Sequence, residues 1–160
     1  MEYAIENEYL IVTVTTWGAQ VKSVVRKFDD VEHMWQADKS VWGYHAPILF
    51  PHTGKVVDDL IETKGEVYQA KQHGFARLME HTLVRQTEDT IVMELRSSEE
   101  TLRIFPYAFR LVSTFTLDGD TLHHKLTVEN WDADKLYFGI GYHPAFTVPF
   151  DDEHLSLIHI

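Results

Sequence analysis

The sequence predicts an all-β protein, an antiparallel sandwich or barrel, and three observations predict it. Apolar residues recur with a period of two, short turn signals separate the runs, and helical periodicity is nearly absent. The chain has 160 residues, 44% of them apolar and 12% aromatic, enough for one domain with a sizeable core. No repeat, low-complexity tract or Pro/Gly/Ser-rich linker divides it.

The elements follow in chain order. In Leu10 to Thr15, Leu10, Val12 and Val14 share one face, which is the alternation of a half-buried strand. Trp17-Gly18-Ala19 and Asp29-Asp30 are turn signals. Lys64-Gly65 joins Leu60–Thr63 to Glu66–Ala70 as a hairpin, and Thr87-Glu88-Asp89 marks a further turn. Ser97-Ser98-Glu99-Glu100 is the one helix-start signal, a serine followed three residues later by glutamate, and Pro106 limits that helix to about two turns. From Ala108 to Leu117 the residues Phe109, Leu111, Phe115 and Leu117 line one face. Asp118-Gly119-Asp120 turns the chain into Thr121 to Glu129, where Leu122, Leu126 and Val128 share one face. Two irregular segments remain, Val41 to Arg77 and Tyr137 to Phe150, rich in Gly, Pro, His and aromatic residues.

Composition removes several classes of function. With 14 Lys and Arg against 25 Asp and Glu, the formal net charge is −11, which disfavours nucleic acid and anionic membrane surfaces as partners. There is no cysteine, so disulfides, thiolate metal sites and cysteine nucleophiles are excluded. The N-terminus reads neither as a secretory signal nor as a membrane span, and the expectation is a soluble, cytoplasmic protein.

Ten histidines raise the question of a metal, but their spacing answers against one. His123 and His124 are neighbours in a strand and point to opposite faces; His124, beside Leu122 and Leu126, reads as a satisfied core histidine. No pair is spaced to share a helix face, and His45 and His52 are separated by a bent apolar stretch. His73 and His143 stand in more constrained backbone. Gly74 lets another group approach beside His73, and Pro144 forces His143 into an extended conformation and removes the next amide donor. Such settings hold an imidazole in one rotamer, although Gly and Pro are equally the residues of ordinary loops. Trp42, Tyr44, Phe75, Phe146 and Trp17 could offer flat faces to a sugar ring while Arg77, Lys55 and Gln72 bind hydroxyls; equally, aromatic residues in strands are commonly core.

The motifs Trp42-Gly43-Tyr44-His45-Ala46-Pro47-Ile48-Leu49-Phe50-Pro51, Gln72-His73-Gly74-Phe75-Ala76-Arg77, Ser97-Ser98-Glu99-Glu100-Thr101-Leu102 and Gly141-Tyr142-His143-Pro144-Ala145-Phe146 resemble, in order and spacing, the aldose 1-epimerase family. The resemblance is to its galactose mutarotase-like branch with a Gln-His-Gly-Phe-Ala-Arg segment, and it spans roughly residues 8 to 150. It implies an antiparallel β-sandwich that binds an aldose, a hexose or hexose phosphate, and interconverts its α and β anomers by acid/base ring opening. No cofactor or metal is implied. His143 corresponds to the general acid and His73 to its companion histidine; Arg77, Lys55, Gln72, Phe75 and Trp42 become substrate-binding candidates.

Family members of this type are nearly twice as long. The expectation is therefore an N-terminal part, residues 1–154, of a single sandwich domain incomplete at its C-terminus. The family's catalytic glutamate would lie beyond Ile160, so this piece is expected to be inactive and to self-associate through exposed strand edges. The last six residues, Leu155-Ser156-Leu157-Ile158-His159-Ile160, resemble a translated sequencing adapter and are expected to be a non-native tail. Lys55 stands where the branch has arginine and Leu78 where it commonly has an acid. These departures motivate an alternative, a noncatalytic carbohydrate-binding module; a purely structural β-domain is the third reading.

Overall fold

The structure, a computed structural model, describes residues 1–148. The suspected tail, 155–160, lies outside the described residues. The strands are β1 (Glu2–Glu6), β2 (Leu10–Thr15), β3 (Val21–Arg26), β4 (Val31–Glu32), β5 (Ile48–Leu49), β6 (Leu60–Thr63), β7 (Glu66–Gln69), β8 (Thr82–Gln86), β9 (Thr90–Arg96), β10 (Phe109–Asp118), β11 (Thr121–Asn130) and β12 (Gly141–Tyr142). One short helix, α1 (Glu99–Leu102), and 3-10 turns at Val57–Asp59 and Ala76–Leu78 complete the list among the described residues.

Strand alternation makes two four-stranded antiparallel sheets, ordered β1-β2-β3-β4 and β11-β10-β9-β8. Leu10, Val12 and Val14 of β2 are buried, as are Phe109, Leu111, Phe115 and Leu117 of β10, and with Ile5, Val21, Ile91 and Met93 they form one apolar cluster shared by both sheets. Each sheet has one apolar face, and burying the two against each other gives the predicted sandwich. The outer face of the second sheet is polar: the Arg110 guanidinium bridges Glu94 at 2.6 Å and Glu129 at 2.9 Å across three strands. On its free side β11 has no strand partner among the described residues.

Two readings of single residues need correction. The helix begins one residue later than the serine–glutamate spacing predicts. Ser98 is its N-cap and Thr101 completes the box, with Thr101 Oγ1 accepting from the Ser98 amide at 2.8 Å. His124 is not a satisfied histidine. Its ring stacks on Phe115 at 4.2 Å and meets Tyr142 edge-on at 4.5 Å, while Nε2 is buried without a partner.

What positions the site is a hub outside both sheets, the buried segment Ala46–Phe50. Ile48 and Leu49 pair with Tyr142 and Gly141, so β5 and β12 form a two-stranded ribbon. Beyond it the His143 amide donates to Pro47 O at 3.1 Å and the Ala145 amide to His45 O at 2.9 Å. On the other side Phe50 O accepts from the amides of Phe75 and Ala76, at 2.9 and 3.2 Å. The side-chain oxygen of Gln20, itself buried, accepts from the amides of His45 and Ala46. One stretch of backbone thus holds the two histidine-bearing segments together.

Candidate functional site

The loop before the Ala76–Leu78 turn is built around consecutive left-handed residues, His73 at φ 68° and Gly74 at φ 68°. A β-carbon on Gly74 would lie 2.2 Å from Phe50 O, so only glycine lets the two backbones meet. This contact fixes where the His73 ring points. Two bonds clamp the residue to Gly54: the His73 amide donates to Gly54 O, and the Gly54 amide donates to His73 Nδ1, each at 2.9 Å.

That second bond sets the tautomer. A backbone amide can only donate, so Nδ1 is the acceptor and the neutral ring carries its proton on Nε2. The Gln72 side-chain nitrogen lies 3.3 Å from Nε2, and since both are donors in this tautomer the Nε2–H has no acceptor there. Burial, followed by the positive charges of Arg77, His143 and His52, holds the His73 pKa below the ordinary histidine value. At neutral pH the ring is therefore an uncharged donor with its N–H directed away from its backbone anchor.

From His73 an unbroken series of contacts leads to His143. Arg77 Nη2 donates to Gln72 O at 3.1 Å, and the Arg77 guanidinium sits 4.9 Å over the Tyr44 ring. Tyr44 meets Trp42 at 5.7 Å, and Trp42 meets the His143 imidazole at 5.1 Å. Arg77 Nε is buried without a hydrogen-bond partner among the described residues. His143 is solvent-exposed. No Asp or Glu takes part in these contacts among the described residues.

Of the residues singled out in the sequence, His73, His143, Arg77, Gln72 and Trp42 come together. Lys55, next to Gly54 in the chain, is exposed. Phe75 does not belong to the binding surface. It is 7% exposed and packs against Phe50, Phe105 and Phe109, because its chain neighbour Gly74 faces the hub and turns the ring into the core. Trp17 lies beside Met79 and Glu80, and Phe146 beside Tyr9, Phe28 and His33, so neither joins the aromatic platform. His45 faces Lys22, Glu2 and Glu32, while His52 bonds the carbonyl of Lys71 at 2.9 Å. Gln20 and Gly54 are positioning groups that spacing did not single out; the glycine of the Phe-Pro-x-x-Gly run was the available signal for the second.

Fold and site together define an antiparallel β-sandwich of the galactose mutarotase type with a paired-histidine cluster on its hub. The chain belongs to the aldose 1-epimerase family, whose sequence model matches residues 1–159. It is 35% identical over 156 residues to the plasmid-encoded protein LacX of Lactococcus lactis subsp. lactis, covering 93% of this chain and 52% of that protein. A galactose mutarotase related enzyme from Lactobacillus acidophilus superimposes with a TM-score of 0.92 at 36% identity, covering 95% of this chain and 51% of the other. A galactose mutarotase-like protein from Lactobacillus casei gives 0.91 at 33% identity, with 96% and 52% covered. The chain thus spans about half the length of the relatives it matches.

Proposed function

We propose that the whole protein to which this chain corresponds is an aldose 1-epimerase, equilibrating the α and β anomers of a hexose or hexose phosphate. The observation that carries the proposal is the contact series His73–Gln72–Arg77–Tyr44–Trp42–His143, which gathers two histidines and an arginine from distant parts of the sequence on one hub. His143 protonates the ring oxygen. His73, through its Nε2–H, and Arg77 orient the sugar oxygens, with Lys55 as a further substrate contact. Trp42 offers the face on which the C–H side of the pyranose rests. The base that takes the anomeric hydroxyl proton is a carboxylate from beyond residue 160. Ring opening, rotation about C1–C2 and reclosure then return both protons.

Polarimetry on freshly dissolved α-D-galactose and α-D-glucose tests this reading. The full-length protein should accelerate the optical relaxation, and His143→Ala should lower that acceleration by about 10²–10⁴-fold while largely sparing sugar binding. The 160-residue chain should give no acceleration. An unchanged relaxation rate with the full-length protein, across several aldoses and their phosphates, overturns the proposal and leaves the noncatalytic binding module.

We also propose that the chain self-associates. The edge of β11, unpaired among the described residues, and the exposed Trp131, Tyr137 and Phe138 support this, since open edges and apolar surface template further pairing. Sedimentation velocity should show an average mass rising with concentration; a monodisperse monomer throughout would refute it.

A further inference from the structure

His81, just before β8, is buried, and its Nε2 lies 3.0 Å from the carbonyl of Ala76. A carbonyl only accepts, so Nε2 carries the ring proton and donates it there. Burial holds the His81 pKa at about 4, so at neutral pH the ring is uncharged and this is its only N–H. The other partner of the Ala76 carbonyl, the Met79 amide, is farther off at 3.4 Å.

Ala76 is fully buried and stands immediately before Arg77. It is gripped from two sides: its amide donates to Phe50 O at 3.2 Å and its carbonyl accepts from His81. The Ala76 carbonyl shares a planar peptide with the nitrogen and Cα of Arg77. The His81 bond therefore fixes the plane from which the Arg77 side chain departs. On its other side the Arg77 peptide meets Gly18, which has φ 71° and donates its amide to Met79 O at 2.8 Å; a β-carbon there would lie 2.7 Å from Arg77 O. His81 is tied to this same segment, its amide donating to Thr16 O at 2.8 Å. Two residues past Gly18, the Gln20 side chain holds the amides of His45 and Ala46, next to Tyr44 in the chain. The stretch from Thr16 to Gln20 thus braces both members of the Arg77–Tyr44 pair, the link between the His73 and His143 ends of the site.

We propose that His81 is a positioning residue, acting through the Ala76 carbonyl to hold the Arg77 guanidinium over the Tyr44 ring. This role in sugar binding rests on the reading of Arg77 as a substrate-orienting group, while the placement of Arg77 is measurable without it. An apolar side chain at position 81 would leave the buried Ala76 carbonyl with only its longer bond. Buried acceptors are normally satisfied, so the peptide plane would turn to find a donor and carry Arg77 off the ring.

In the unsubstituted 160-residue chain, nitrogen–proton correlation across the imidazole should show His81 protonated at Nε2, with that proton slow to exchange. A ring protonated at Nδ1 cannot donate to Ala76 O and would overturn the proposal without any variant having to fold. The Arg77 Nε–Hε resonance, shifted by the Tyr44 ring, reports where the guanidinium sits. His81→Leu should move it toward the position of an exposed arginine. His81→Gln, whose side-chain nitrogen can donate to the same carbonyl, should restore it, and Gly119→Ala, in the β10–β11 turn, should leave it in place. In the full-length protein His81→Leu should raise KM for the aldose about 3- to 10-fold, the usual span of one net hydrogen bond, and His81→Gln should reverse the rise. Because the loss is one of uniform binding, kcat should stay within about 2-fold. An Arg77 resonance unmoved by His81→Leu, a shift that His81→Gln fails to reverse, or a fall in kcat at unchanged KM would each overturn the proposal. Absence of turnover in the unsubstituted full-length protein would instead overturn the epimerase reading, and the Arg77 resonance would still decide this one.

Discussion

Acidification from pH 6.5 to pH 4 is expected to remove on the order of 6 kcal/mol of folding stability through two buried imidazoles. His81 is 2% exposed, its Nε2–H donates to the Ala76 carbonyl at 3.0 Å, and its pKa is lowered by burial to about 4. His124, stacked on Phe115, is lowered to about 4 by burial alone. In the unfolded chain both return to the ordinary histidine value near 6.5. Above that pH neither state binds the proton and the full stability is present. Between 6.5 and 4 the unfolded chain binds two protons that the folded chain refuses, so stability falls by roughly 1.4 kcal/mol per pH unit for each ring. Urea midpoints measured at half-unit steps should show this slope, and His124→Phe, which keeps the stacking, should remove about half of it. A profile flat between pH 6.5 and 4.5 would contradict the burial of these rings.

Gly74→Ala should destabilise the chain by at least about 3 kcal/mol, the range of severe backbone lesions. The new β-carbon would meet Phe50 O at 2.2 Å, Phe50 C at 2.5 Å and Pro51 Cδ at 2.7 Å, on a residue already at positive φ. Two of these atoms are backbone and cannot swing aside. Gly119 is the control: it too has positive φ, but its β-carbon would meet nothing within 4 Å, so Gly119→Ala should cost only about 1–2 kcal/mol, the left-handed penalty by itself. Because the Phe50–Gly74 contact sets the direction of the His73 ring, Gly74→Ala should also release the Gly54 amide from His73 Nδ1, seen as faster exchange of that amide. A cost equal to that of Gly119→Ala would mean that the loop is not wedged against the hub.

Most of the framework was legible because alternation is a local property. Leu10, Val12 and Val14, and Phe109 to Leu117, announce their buried faces within a few residues, and the Lys64-Gly65 and Asp118-Gly119-Asp120 turns fall where the chain reverses. Strands with mixed faces were harder: β3, with one fully buried residue in Val21–Arg26, carries little period-two signal. In the site, constrained backbone singled out the two histidines and side-chain chemistry Arg77 and Trp42, with motif resemblance implying their roles, but side-chain direction was not readable. Phe75 sits in a motif of binding residues and yet faces the core, because direction there depends on where Gly74 touches Phe50, a contact made across 24 residues of sequence. The His73 tautomer likewise rests on the amide of Gly54, which has no side chain to advertise it.

The central claim is that the imidazoles of residues 73 and 143 face one sugar site. Titration of the 160-residue chain with D-galactose, followed through the imidazole Cε1–Hε1 resonances, tests it most directly. The two resonances should shift together with one saturation midpoint while that of His124, packed between Phe115 and Tyr142, stays in place. Separate midpoints for the two rings, or saturation that leaves either of them unmoved, would contradict the account.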